Sequence, residues 1–153
     1  MQLKEGMKAP YFKGIDQHGN EISIADFSGR KLVLYFYPKD HTPGCTAEAC
    51  NLRDNYQSFL NRGFAVVGVS PDDEKSHKGF SEKYSLPFSL IADTTKKIMN
   101  DYGIWGEKNR YGKIVMGVLR TTFIIDEKGN IEKIISKVDT AGHTEQIFSY
   151  YNQ

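Results

Sequence analysis

Lys31-Leu32-Val33-Leu34-Tyr35-Phe36-Tyr37-Pro38-Lys39-Asp40-His41-Thr42-Pro43-Gly44-Cys45-Thr46-Ala47-Glu48-Ala49-Cys50 is the stretch on which the reading of this chain turns. Lys31 to Tyr37 is a continuous apolar, β-rich run, the pattern of a strand buried on both faces, and it stops at Pro38. Thr46 to Leu60 then carries Ala47, Leu52, Tyr56, Phe59 and Leu60 at near-helical spacing, and Asn61-Arg62-Gly63 supplies a C-cap signal. A strand that feeds a helix through a short loop leaves a crevice at its carboxyl end, where open α/β sheets bind ligands.

Working outward, Phe64 to Val69 repeats the buried-strand pattern and ends at Ser70-Pro71. Asp72 to Tyr84 reads as a helix opened by two acids that suit its N-terminal dipole. Ser89 to Ala92 reads as a short strand, Thr94 to Tyr102 as a short helix, and Gly103 to Gly117, glycine-spaced and polar, as a loop. Lys13–Ile15 and Glu21–Ile24 flank a turn cluster at Asp16–Asn20, while Leu119–Asp126 and Asn130–Val138 flank Glu127-Lys128-Gly129, giving two hairpins. His143 to Tyr151 is a last amphipathic helix. The order predicts an α/β fold: a mixed central sheet flanked by helices, with an N-terminal β-hairpin. No repeat or linker divides residues 1–153, so a single domain is expected.

Twenty basic and nineteen acidic residues leave a net charge of +1, too little field to attract nucleic acid or anionic lipid. No run approaches the roughly 18 apolar residues of a membrane span. Met1–Gly6 has no apolar core of a secretory signal, so the expected location is the cytoplasm. Two cysteines in a reducing compartment argue against a structural disulfide. The four histidines are scattered without metal-ligand spacing, and two thiols cannot make a four-cysteine zinc site, so no metal is expected. The thiols are either inert packing or redox chemistry.

Their placement bears on that choice. Pro43 suits a first helical turn, where its missing N–H costs nothing. Cys45 then falls among unsatisfied backbone N–H groups at the positive end of the helix dipole, which favours a thiolate. Cys50 lies five residues on. In an intact helix that spacing puts the Cα atoms roughly 8–9 Å apart, beyond the roughly 7 Å that a disulfide spans. A redox-active pair here requires the first helical turns to unwind; otherwise Cys50 merely packs.

The segment resembles the peroxiredoxins, whose signature Pro-x-x-x-Thr-x-x-Cys is met by Pro38, Thr42 and Cys45. Thr42-Pro43-Gly44-Cys45-Thr46 with Glu48 and Cys50 is similar to the active-site stretch of the bacterioferritin-comigratory, or Q-type, subfamily. Two later stretches, Gly106–Lys113 and Gly117–Asp126, resemble further motifs of that subfamily. The resemblance implies a thioredoxin-like fold and a thiol peroxidase acting on hydrogen peroxide and small organic hydroperoxides. It implies that Cys45 attacks the peroxide to give a sulfenic acid and that Cys50 resolves it to an intramolecular disulfide. A thioredoxin-type dithiol partner then reduces the disulfide, without metal, haem or flavin. A monomer is expected, as is common in that subfamily.

Magnitudes sort the remaining roles. A thiol of ordinary acidity is about 3% thiolate at neutral pH, so full ionisation gains at most about 30-fold, or about 2 kcal/mol. The rest of a fast peroxidase must come from positioning the peroxide and stabilising its departing oxygen. Candidate donors are the Thr42 hydroxyl, the backbone N–H groups of Gly44 and Cys45, and Arg120, whose position matches the active-site arginine of the family. Read without the resemblance, Arg120 is a solvated charge at a strand entry and Glu48 a surface acid near a helix start. The alternative for Glu48, three residues after Cys45 on the same face, is to orient Arg120. Pro38 is assigned to shielding the thiolate from water. Trp105, Tyr37 and Phe88 are candidates for an apolar collar around an alkyl peroxide, with ordinary core packing as the alternative. His41 is expected to be solvated. Two competing functions remain in view: a general dithiol–disulfide exchanger, which the five-residue spacing disfavours, and a redox-sensing binding module.

Overall fold

Lys31–Phe36, β3, is the middle strand of a five-stranded sheet of order β5-β4-β3-β8-β9, in which β4 is Phe64–Ser70, β5 Ser89–Ala92, β8 Thr121–Ile125 and β9 Ile131–Ile135. The computed structural model describes residues 2–151. β3, β4 and β5 run parallel, whereas β8 lies antiparallel to β3, and β9 antiparallel to β8 with a register shift at Ile124/Ile125. The strand alternation of β3 divides the core in two. Leu32, Leu34 and Phe36 enter one cluster with Phe12, Met99, Tyr102 and Phe123. Val33, Tyr35 and Tyr37 enter the other with Cys45, Leu52, Phe59, Phe80 and Phe148. Both faces being covered is why the run carries no polar residue between Leu32 and Tyr37.

Helices cover these faces: α1 Pro43–Asp54, α2 Tyr56–Asn61, α3 Glu74–Tyr84, α4 Lys97–Asp101 and α5 His143–Ser149. Among the described residues no helix is long and apolar enough to cross a membrane. The N-terminal hairpin pairs β1, Lys13–Ile15, with β2, Glu21–Ser23.

Two readings change. The segment Thr46 to Leu60 is two helices rather than one. Asn55, at φ −112° and ψ 11°, leaves the helical region, and its side-chain amide donates to the Asn51 carbonyl at 2.8 Å, taking an acceptor that the continuing helix would use. The segment Gly103 to Gly117 is not a loop. It holds an antiparallel hairpin, β6 Trp105–Arg110 with β7 Lys113–Val118, turning at Tyr111-Gly112, both at positive φ. Residues 109–116 are exposed, so the ladder forms without the hydrophobic alternation that betrays a half-buried strand.

Candidate active site

The β3 strand delivers its carboxyl end to a loop that is tied down before α1 begins. Asp40 is the tie. Its Oδ1 accepts from the Tyr37 hydroxyl at 2.7 Å, and its Oδ2 from Ser76 at 2.8 Å and from His77 Nδ1 at 2.7 Å. Its own N–H donates to Asp72 Oδ2 at 2.8 Å, which also accepts from Ser70. Burial pushes the Asp40 carboxyl up, yet the hydrogen bonds from His77, Tyr37 and Ser76 outweigh it and hold the group below the usual carboxylate range. Asp40, Asp72 and His77 bring ligand atoms within 4.8 Å of one another, but they are already bonded within this network, and a cation would have to displace those bonds. His41, exposed and at φ +63°, turns the chain, and its ring meets Phe80 edge-on.

Thr42 is the N-cap of α1, with Pro43 in the first turn. The Thr46 N–H donates to the carbonyl of the N-cap Thr42 at 2.9 Å, so the amides of Gly44 and Cys45 stand ahead of that bond at the positive end of the dipole. Cys45 is 1% exposed. What reaches its sulfur is Arg120: Nη2 donates to Cys45 Sγ at 3.2 Å while Nη1 donates to Glu48 Oε1 at 2.6 Å. The sheet explains the meeting. β8 pairs antiparallel with β3, Phe36 opposite Thr121, so the entry of β8 lies beside the exit of β3. A Cβ at Gly44 would stand 3.5 Å from Arg120 Nη2, which places the guanidinium directly over that glycine.

Glu48 is fully buried, and burial pushes its carboxyl up to about 7 against the pull of Arg120. Among the described residues Oε2 has no hydrogen-bond partner. Facing it at 3.6 Å is Nε2 of His143, equally buried, whose basicity burial pulls down to about 4. His143 Nδ1 meets Gln146 Oε1 at 2.9 Å, and Nε2 lies 2.8 Å from the Thr122 hydroxyl. Cys50 is a partly exposed free thiol, and α1 is unbroken between the two cysteines.

Residues 6–134 match the AhpC/TSA family. The chain belongs to that family. It is 44% identical over 147 residues to the putative peroxiredoxin bcp of Coxiella burnetii, covering 96% of this chain and 97% of the relative. It is 41% identical over 146 residues to peroxiredoxin Bcp of Bacillus subtilis, covering 95% and 93%. Among solved structures it is similar to the Xanthomonas campestris bacterioferritin comigratory protein, described for its alkyl peroxide reduction activity, with a TM-score of 0.85, 34% identity, and coverage of 91% and 88%. The mixed sheet and its helices are therefore the thioredoxin-like fold of a peroxiredoxin.

Within this peroxiredoxin, Cys45, Gly44, Glu48 and Arg120 come together. Pro38 stands partly buried where β3 gives way to the loop. One expectation is revised, and two alternatives left open by the sequence are decided. The proton of the Thr42 hydroxyl is committed to the Lys39 carbonyl at 2.7 Å, so Thr42 offers oxygen lone pairs rather than a free donor. The apolar collar does not form: Tyr37 and Phe88 pack in the core on the α1 side of the sheet, and Trp105 packs against the other cluster. Neither Glu48 nor Arg120 is a solvated surface charge, since the pair is closed at 2.6 Å with Glu48 fully buried. Two groups were missed. His77 and His143 sit far along the chain from their acidic partners, and only the packing of α3 and α5 against the sheet brings each pair together.

Proposed function

We propose that this peroxiredoxin reduces hydrogen peroxide and small organic hydroperoxides with Cys45 as nucleophile. The observation that carries it is the 3.2 Å bond from Arg120 to the Cys45 sulfur at the start of α1. A cation held against the sulfur favours the thiolate and is placed to stabilise negative charge on the departing oxygen. The thiolate attacks the terminal peroxide oxygen: an S–O bond forms, the O–O bond breaks, and the leaving oxide takes a proton to become water or alcohol. Glu48 holds Arg120 in place, and Pro38 and Thr42 wall and orient the peroxide.

Cys50 then displaces hydroxide from the sulfenic acid, giving a Cys45–Cys50 disulfide and water. Because α1 keeps the Cα atoms roughly 8–9 Å apart, its first turns must unwind for the bond to close. The unwinding has a natural limit at Asn51, whose side chain donates to the Ala141 carbonyl at 3.0 Å and accepts from the Thr144 N–H at 2.8 Å. A thioredoxin-type dithiol reduces the disulfide. One continuous sheet, β5-β4-β3-β8-β9, supports a single domain, and two cysteines that must be returned to thiols suit the cytoplasm.

The test is peroxide consumption with dithiothreitol or thioredoxin. Cys45→Ser abolishes turnover. Cys50→Ser keeps one stoichiometric reaction but loses thioredoxin-linked cycling. After one equivalent of peroxide the wild type shows loss of two hydrogens in a Cys45–Cys50 cross-linked peptide. Unchanged turnover in Cys45→Ser would sink the reading.

A further inference from the structure

Behind Arg120 the site holds a buried acid that is only half satisfied. Glu48 Oε1 accepts from Arg120, whereas Oε2, fully buried, has no hydrogen-bond partner among the described residues and faces His143 Nε2 at 3.6 Å. An orphaned carboxylate oxygen in the interior is costly, and a proton on it lowers that cost by removing the charge. The tautomer of His143 makes room for that proton. Gln146 Oε1 already accepts the Asp139 N–H while its Nε2 donates to the Lys137 carbonyl, which fixes the amide orientation. His143 Nδ1 must therefore donate to that oxygen, leaving Nε2 as an acceptor when the ring is neutral. The Thr122 hydroxyl, 2.8 Å away, donates to this same acceptor, so a proton on Glu48 lies beside the ring at the longer distance.

We propose that Glu48 and His143 hold one proton between them, resting on Glu48 Oε2 while Cys45 is a thiolate, and that Glu48 releases it when peroxide cleavage removes the charge on Cys45. The inference rests on the reading of Cys45 as the peroxide-attacking thiol. Arg120 is one cation facing two acidic groups. While Cys45 is an anion, the guanidinium is shared, and a second full charge on buried Glu48 is disfavoured. Once Cys45 is a neutral sulfenic acid, Arg120 is left to Glu48 alone and the carboxylate becomes the stable form. The stoichiometry agrees: thiolate plus hydroperoxide gives sulfenic acid plus oxide, and the oxide needs one proton to leave as alcohol or water. Glu48 carries that one proton.

The other groups facing the pair keep this arrangement. Tyr35, buried from β3 with a hydroxyl that has no partner among the described residues, is held neutral by burial. Asp139 bears on His143 from the α5 side, but burial of the ring outweighs it. A Glu48 anion facing a His143 cation would place two further charges in the interior, and the neutral pair avoids both. Burial raising Glu48 to about 7 and lowering His143 to about 4 agrees with the same assignment.

Infrared difference spectroscopy on the Cys50→Ser protein, buffered below the Glu48 value and oxidised with one equivalent of hydrogen peroxide, tests this. Mass spectrometry runs in parallel to confirm that Cys45 gains one oxygen. The expected result is loss of one carboxylic-acid carbonyl band and gain of a carboxylate band, both absent in Glu48→Gln. Nitrogen NMR of His143 is expected to show a neutral Nδ1–H ring in both states. If Cys45 gains no oxygen, the nucleophile reading itself fails. If it gains oxygen while the carboxyl bands stay unchanged, or His143 is an imidazolium in the reduced protein, the proton assignment is overturned.

Discussion

Two buried acid–histidine pairs bracket the start of α1, and they are built on opposite terms. Asp40 and His77 close to 2.7 Å, and the acid collects further donors from Tyr37 and Ser76, while His77 Nε2 lies 3.0 Å from the Ile91 carbonyl. Glu48 and His143 stop at 3.6 Å and leave one carboxylate oxygen unpaired. The consequence appears in their acidities: the bonds to Asp40 overcome burial and hold it low, whereas burial wins at Glu48. Burial alone therefore does not set the character of a carboxyl; the number of donors aimed at it does. A fully bonded pair holds the backbone in place, and here it fixes the loop that presents Thr42 and Cys45. A half-bonded pair keeps a proton that the chemistry next to it can move.

Breaking each pair should separate these roles. Asp40→Ala removes the acceptor of three side-chain donors and leaves His77 facing an empty site. Loss of one partner from a buried, hydrogen-bonded pair costs about 3–5 kcal/mol, to be read as a lower denaturant midpoint at unchanged slope. Glu48→Gln keeps an oxygen for Arg120 and changes stability at neutral pH by only about 1 kcal/mol. Equal losses in the two variants would erase the distinction.

Next in size is Arg120→Met, which withdraws the donor from Cys45 and the cation from Glu48 while retaining an unbranched stem. Losing one preorganised donor at developing oxyanion charge costs about 100- to 1,000-fold in rate, so single-turnover oxidation of Cys45 falls by that order. The carboxyl of Glu48, deprived of its cation, rises further. A loss under about threefold would mean that the helix dipole and amides of α1 suffice without the guanidinium.

Much of this arrangement was legible beforehand, for reasons that also mark its limits. The β3 and β4 runs declare themselves because both faces are buried. Cys45 and Glu48 share a helix face by their i, i+3 spacing, and a proline in the first turn dates the helix start. Arg120 was legible only through resemblance, since nothing local distinguishes it from an edge charge; its role depends on which strand β8 pairs with. The β6–β7 ladder was illegible by hydropathy because its residues face water on nearly every side, and the Tyr111-Gly112 turn was the sole local clue. The two histidines are beyond any spacing rule, because α3 and α5 bring them to their acids only in three dimensions.

The comparison can be sharpened by pH, with an effect of about 2–3 kcal/mol. Glu48 has a folded value of about 7 against 4.5 in a free side chain, so between these values the native state holds a proton that the unfolded chain has lost, and stability falls as pH rises through the window. His143, at about 4 against 6.5, refuses a proton that the unfolded chain accepts, so stability falls as pH drops through 6.5 toward 4. Over the shared range the slopes oppose each other and nearly cancel, leaving the wild type flat with respect to this pair. Glu48→Gln removes only the first slope. The variant should therefore lose stability relative to wild type as pH is lowered from 6.5 to 4.5, measured by urea unfolding at each pH. Asp40 does not confuse the measurement, because its low carboxyl is the same in both proteins and cancels in the difference. Parallel curves for the two proteins across that interval would mean that Glu48 is already ionised in the folded state, and the contrast between a scaffold pair and a proton-holding pair would be lost.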